Sequence, residues 1–291
     1  MNRHIIVNIL KTLNVPKMLF GLLLLLIIVF FACYYPTFQW LNYKYSTPDS
    51  YYSHGYLIPF VVLYLLYDKR MELIAINPTM NITGLYLIIF ALIIHIFGVL
   101  SDVSFVSGFS MIIFLAGCSL FLCGAQFTKE IIFPLCYLIF MMPIPDEWLN
   151  IVALPSKSLA TWFALNIMDL MNVPYIREGF SVILPNSTFI IGTPCNGLRS
   201  LISFFALGLL VIYFIRFSLL KSLLFLIVIP ILAVILNGVR IATLLLIALY
   251  YGQEAASPES FLHDLSGLFV FLIGLIVMFV TVRVIYAKKH A

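Results

Sequence analysis

Long apolar runs recur along this chain from near its start to near its end, and no other feature narrows its fold as far. The first, MLFGLLLLLIIVFFACYY (18–35), carries no charged residue. A helix needs about 20 apolar residues to cross a bilayer's hydrocarbon core, with a range near 17–25. Candidate spans fall at 18–35, 55–67, 82–100, 105–125, 131–142, 200–215, 221–250 and 265–286. Two are short and contain Pro59 and Pro134, so they are read as tilted, kinked or partly inserted. The 221–250 run is too long for one simple span, and a break is expected at NGVR (237–240). Charged residues make up 10% of the chain and hydrophobic ones 63%, whereas a soluble domain has about 25% charged. There is too little polar surface for a water-soluble body. The fold class is therefore an all-α polytopic membrane protein with about eight transmembrane helices, read as one membrane-embedded domain over 1–291. Arg3, Lys11 and Lys17 precede the first run, and no small-residue cleavage site follows it, so this is a retained span.

Lys and Arg in the flanks set the orientation. With eight crossings starting inside, both termini are cytoplasmic. The inner face then collects Arg3, Lys11, Lys17, Lys69, Arg70, Lys129, Arg216, Lys221, Arg283, Lys288 and Lys289. The outer face keeps Lys44, Lys157, Arg177, Arg199 and Arg240. The excess inside favours this arrangement over its inverse. The net charge of +4 thus reports orientation in the lipid bilayer, and no nucleic-acid partner is expected.

The longest external stretch is 143–199. Within it IVALPSKSLATWFALNIMDLM (151–171) has many polar positions and reads as an interfacial helix. After it, GFSVIL and TFII flank Pro185-Asn186-Ser187, the pattern of a small extracytoplasmic hairpin. That hairpin leads to IIGTPCNGLRSLISFF (190–205), which sets a thiol among turn residues at the mouth of an apolar helix.

Of the five cysteines, Cys33, Cys118, Cys123 and Cys136 lie in apolar runs, where a thiol packs as a small hydrophobe. No CxxC pair or His-containing cluster has metal spacing, so no metal site or cofactor is expected. Cys195 differs. The Gly192-Thr193-Pro194 turn precedes it and a helix starts near Asn196 or Gly197, placing the sulfur at the positive end of a helix dipole. Arg199, one turn later, adds positive potential on the same face. Set against this is a cysteine that merely packs in a tight turn. Arg240 sits in ILNGVRIATLLLIALYY with apolar sequence on both sides. A charge at such depth costs at least about 2.5–3.5 kcal/mol and faces a cavity or a partner, unless the side chain snorkels to the interface. Asn237 and Gly238 argue for a polar pocket. In SPESFLHDLSGLFVF, Ser257-Pro258 reads as an N-cap with proline at the first helical position. His263 then falls in the second turn with Gly267 one turn further on the same face, while Asp264 points elsewhere and is not paired with it. The alternative is an interfacial histidine facing water. Taken together, the three supply a nucleophile, a fixed cation and a proton carrier for thiolate attack on a carbonyl.

These residues resemble the exosortase/archaeosortase membrane proteins. TPCNGLRSL is similar to that family's cysteine segment, NGVRIA to its arginine signature and FLHDLSG to its histidine signature. YSHGYLIPFVVLYLL (52–66) and FMMPIP (140–145) are similar to two further family segments. Asn196 stands where serine is commoner in the family. The resemblance implies a membrane cysteine transpeptidase or protease with Cys195 as nucleophile, Arg240 stabilising the oxyanion or thiolate, and His263 as general acid/base. Arg199, Asn237 and His54 are the candidate substrate-binding residues. The implied partners are exported proteins bearing a C-terminal sorting tail, made of a short motif, a hydrophobic helix and a basic cluster. An acceptor of unspecified chemistry takes the acyl group, and the work is done on the extracytoplasmic side of the cell membrane.

Two non-enzymatic readings stand beside this one. A transporter would line its pathway with intramembrane polar groups such as His54, His95, Asn237 and Arg240. A surface-polymer export component would carry Cys195 incidentally. Against the transporter, Asp and Glu are nearly absent from the spans and no inverted repeat is evident.

Overall fold

The computed structural model describes residues 17–47, 50–192, 195 and 197–287. Thr193, Pro194 and Asn196 of the cysteine segment lie outside the described residues, as do Arg3, Lys11, Lys288 and Lys289 of the charge count. The chain packs as two compact units, Met1–Ile144 and Pro145–Ala291.

In the first unit, α1 (Lys17–Cys33) is followed by α2 (Tyr35–Ser46). The pair is bent by 57°, with Pro36 in the first turn of α2, where its missing N–H costs nothing. A 3-10 turn (Ser53–Tyr56) leads into α3 (Ile58–Asp68) and α4 (Arg70–Ile74). Then come the long helices α5 (Ile82–Leu100) and α6 (Ser104–Glu130), followed by α7 (Ile132–Tyr137) and a 3-10 turn (Leu138–Met141). Close approach of α5 and α6 is permitted by Gly84 and Gly117, each facing the other helix's backbone. Apolar packing gains little inside lipid, so small residues that let backbones meet take its place. A polar cluster crosses the same interior: His95 Nδ1 and Thr37 Oγ1 both contact Ser107 Oγ, at 2.9 and 2.6 Å. Two of the five motif segments meet in this unit. The Tyr45 hydroxyl donates to the Met141 carbonyl at 2.5 Å, and the Ile144 N–H donates to the Tyr52 hydroxyl at 3.1 Å. Gly55 lies against the face of Tyr45, leaving no room for a β-carbon.

The second unit begins with α8 (Asp146–Leu170), a hairpin-linked sheet of β1 (Ile176–Glu178), β2 (Ser181–Ile183) and β3 (Thr188–Ile190), and α9 (Leu198–Ile215). It ends with α10 (Leu219–Tyr251), a 3-10 turn (Glu254–Ala256) and α11 (Phe261–Ala287). The sheet is antiparallel in the order β1-β2-β3, with Val182 opposite Phe189. The hairpin expected around Pro185-Asn186-Ser187 is present, closed by Leu184 N–H to the Ser187 carbonyl at 2.7 Å. β1 was not foreseen; it joins through a turn at Gly179, whose φ of +62 suits glycine.

Helices α9, α10 and α11 run antiparallel in succession. Gly208 of α9 meets Phe225 and Ile229 of α10, and Gly274 of α11 meets Phe204 and Leu236. Phe204 also stacks on Phe271, centroids 5.2 Å apart. The opposite half of α10 packs on α8 and the sheet through Ala160, Ala164, Met168, Val182, Phe189 and Ile241, all buried. Large side chains such as Leu219, Tyr250 and Phe261 stay on the outside, the surface that lipid covers.

Among the described residues six helices are long and apolar enough to cross a membrane, or seven if the bent pair counts as one. The chain is an all-α multi-pass membrane protein. The segments at 55–67 and 131–142 form helices of 11 and 10 residues, roughly 15 Å each at 1.5 Å per residue, too short to cross alone. The segment read as an interfacial helix over 151–171 folds within the 25-residue α8, which has the length and composition of a span. One of its polar positions is absorbed by the unit: Thr161 is buried and donates to the Lys157 carbonyl at 2.7 Å. The break expected near Asn237 does not occur, and α10 is one 33-residue helix. Gly238 is a docking notch. A β-carbon there would lie 2.7 Å from Phe163 Cβ and 3.0 Å from the Ala160 carbonyl.

Candidate functional site

Strand β3 delivers the chain to Cys195. Ile191 N–H donates to the Phe180 carbonyl at 2.9 Å, extending the sheet one residue beyond β3. The chain then turns, Cys195 N–H reaching the Gly192 carbonyl at 3.2 Å. Helix α9 starts at Leu198, and Gly197 is its N-cap with φ +76 and ψ 0, a left-handed conformation that favours glycine. Cys195 therefore precedes the helix, and the helical spacing invoked between it and Arg199 does not apply. Arg199 lies exposed in the first turn of α9. The Cys195 side chain is buried.

Two residues of one α10 face reach the site. The Asn237 side-chain amide donates to the Cys195 carbonyl at 2.6 Å, in a buried setting. One turn on, Arg240 Nη2 lies 3.4 Å from His263 Nε2 of α11. Arginine only donates, so in this contact Nε2 is the accepting nitrogen. Gly267 makes the space: a β-carbon there would lie 3.3–3.4 Å from the guanidinium atoms. The shared face expected for His263 and Gly267 is thus realised, and both point at Arg240.

Helix α11 begins later than Ser257-Pro258 suggested. Ser260 Oγ accepts from Leu262 N–H at 3.2 Å and the Ser260 carbonyl from Asp264 N–H at 3.3 Å, so His263 sits in the first turn. Ser260 is the cap because its hydroxyl takes an orphan N–H, whereas the Ser257 hydroxyl donates back to the Glu254 carbonyl at 2.8 Å. Asp264 is also nearer than its sequence position implied, with Oδ1 3.8 Å from His263 Nδ1. That is within ion-pair range but beyond a hydrogen bond.

Cys195 and His263 line one cavity of about 180 Å³. Its wall is completed by Phe189, Ile190 and Gly192 from the sheet side, and by Gln253, Ala256, Ser257 and Pro258 from the α10–α11 connection. Sequence reasoning missed this wall, although the connection is bounded by helices bearing Arg240 and His263. It also missed Lys157, whose Nζ lies 4.0 Å from the centre of the Phe180 ring and within Coulombic reach of Cys195. An isolated cation in LPSKSLA was the available signal. His54 belongs to the first unit, half-buried in its 3-10 turn with its ring 6.0 Å from that of Tyr52. Among the described residues no three His, Cys, Asp or Glu side chains converge as a metal site would require.

No curated protein and no solved structure matches this chain. The family model of the transmembrane exosortases, Exosortase_EpsH, matches residues 40–280 and so takes in every helix that contributes to the cavity. With a match over most of its length on a multi-pass helical membrane fold, the chain belongs to the transmembrane exosortase family.

Proposed function

We propose that the protein is a cysteine transpeptidase or peptidase that cleaves C-terminal sorting tails of exported proteins and passes the acyl group to an acceptor. The observation that carries this is the shared cavity: Cys195 and His263 open onto one space while Arg240 contacts the imidazole. In the first half-reaction the Cys195 proton passes to His263 and the sulfur attacks the scissile carbonyl carbon. As the C–S bond forms, the C–N bond breaks, and the leaving amine takes the proton from His263. In the second, an acceptor amine attacks the thioester, loses a proton to His263 and returns the thiol. Water as acceptor makes the protein a protease. Arg240 supplies fixed positive charge beside the reacting centre, where negative charge develops on the carbonyl oxygen. Exposed Arg199 is a candidate for contact with the substrate chain.

We also place the cavity on the extracytoplasmic face. The antiparallel order of α9, α10 and α11 sets Arg216, Lys221 and Arg283 at the helix ends remote from Cys195. An inner face for those charges leaves Cys195 outside. In sequence Lys288 and Lys289 follow Arg283, while Lys157, Arg177, Arg199 and Arg240 stand on the cavity side, so this unit favours the orientation by five cations to four.

The test uses a variant whose only cysteine is Cys195, in membranes with a tail-bearing substrate. Rapid quenching should yield a substrate fragment attached to Cys195 and released by hydroxylamine. A small charged methanethiosulfonate that cannot cross membranes, added to intact cells, should block the adduct. Absence of any thioester would sink the covalent reading; protection from the reagent until cells are opened would reverse the proposed side.

Arg240→Lys keeps the charge but loses the planar fork that meets His263. The expected loss is about 10²-fold in turnover, measured at matched membrane levels. Turnover equal to the parent would show that charge or anchoring alone is needed.

A further inference from the structure

The proposed reaction needs the Cys195 sulfur held against the cavity, and contacts from outside the cysteine's own segment add to the turn hydrogen bond it makes to Gly192. Cys195 stands between a sheet edge and a helix start, in neither regular element. Asn237 meets it there. Its amide-to-carbonyl bond joins residues 42 apart in sequence at 2.6 Å, with Asn237 and Cys195 both nearly inaccessible. The same amide packs on Gly197, where a β-carbon would lie 3.1 Å from both Asn237 Cγ and Nδ2. The left-handed glycine and the asparagine thus fit as a pair. The Cys195 carbonyl is fixed by the first contact, and the backbone two residues later is held by the second.

We infer that Asn237 is a positioning residue for the Cys195 thiol rather than a contact for substrate. Pinning the Cys195 carbonyl restricts rotation about its Cα–C bond and so holds in place the backbone atom from which the thiol side chain leaves. It also turns that carbonyl toward α10, so its negative end is not offered to the sulfur or to a developing oxyanion. Arg240 lies three residues on along the same helix face and contacts His263. Helix α10 therefore locates the nucleophile with one side chain and the proton carrier with the other. An interaction made through geometry alone is realised in turnover, not in substrate affinity.

The inference rests on Cys195 as the reacting thiol, but its test need not involve a sorting substrate. Asn237→Asp keeps the shape and removes both N–H donors, setting a carboxylate against a carbonyl. In the single-cysteine background, the expected result is a change of about 10-fold or more in the rate at which iodoacetamide alkylates Cys195. Processing of a tail-bearing substrate should lose on the order of 10²-fold in kcat with KM nearly unchanged, the penalty for a displaced reacting group. Gly197→Ala disturbs the same contact from the other side and should reproduce this signature. It carries the test if Asn237→Asp does not accumulate in membranes. A raised KM with unaltered kcat and alkylation would overturn the inference in favour of substrate contact. Parental values for both rates would reduce Asn237 to packing. If Cys195→Ala still processes substrate, the transpeptidase reading fails, yet the alkylation rates continue to report on Asn237.

Discussion

Cys195→Ala removes processing of tail-bearing proteins altogether, while the membrane level of the variant matches the parent. The expected loss is at least on the order of 10⁴-fold, as when a covalent catalyst loses its nucleophile. The level should hold because alanine replaces a buried thiol by a slightly smaller buried methyl group, and the nearby contacts run through the backbone. The Cys195 carbonyl still accepts from Asn237, and its N–H still reaches Gly192. Cys195→Ser discriminates further. The hydroxyl is nearly isosteric but far less acidic than a thiol, so it too should fall below detection in a site built for a thiolate. Quantitative blotting of processed and unprocessed substrate, with the variants at equal abundance, reads both. Processing that survives in both variants would leave the non-covalent readings, transport or a part in polymer export, in possession of the field.

His263→Gln carries the second-largest effect, a loss of about 10³-fold. Among the described residues lining the cavity, only Cys195 and His263 carry side chains that can give up or take a proton in such a reaction; Gln253 is a neutral amide and Ser257 a hydroxyl. The leaving amine would depart without a proton, and the acceptor amine would attack without a base. Glutamine fills much of the same volume and can still accept from Arg240, so the contact at 3.4 Å need not collapse. The measurement is single-turnover processing together with the yield of hydroxylamine-labile adduct. Both should fall. Loss of turnover with a normal rate of adduct formation would confine His263 to the second half-reaction. Parental activity would remove it from the chemistry.

Much of this site was readable as residues, and less of it as geometry. Arg240 stood out because a guanidinium among aliphatic residues must find a polar partner, and His263 proves to be one. The hairpin was readable because Pro185-Asn186-Ser187 permits few conformations between two β-favouring runs. Asn237 and Gly238 misled for a physical reason. Poor helix formers suggest a break when the chain is read locally, but here the notch admits Ala160 and Phe163 and the amide reaches Cys195. Those tertiary contacts offset a weak local preference. The start of α11 shifted for a similar reason: Ser257-Pro258 and Ser260 offer competing caps, and only the fold selects Ser260. Helix α8 looked interfacial because its many polar positions suggest water contact. The buried setting of Thr161 and the contact of Lys157 with Phe180 cannot be seen in a one-dimensional pattern.

Between Cys195 and the connection that bears Gln253, the chain makes one outward and one return passage, α9 and α10. An upstream helix gained or lost would invert the whole assembly as a block, leaving the cavity of Cys195 and His263 and the contact of Arg240 with the imidazole unchanged. Chemistry and address are therefore separable in this architecture. The second unit carries all of the proposed reacting groups, and the count of passages before residue 195 decides which compartment they would serve.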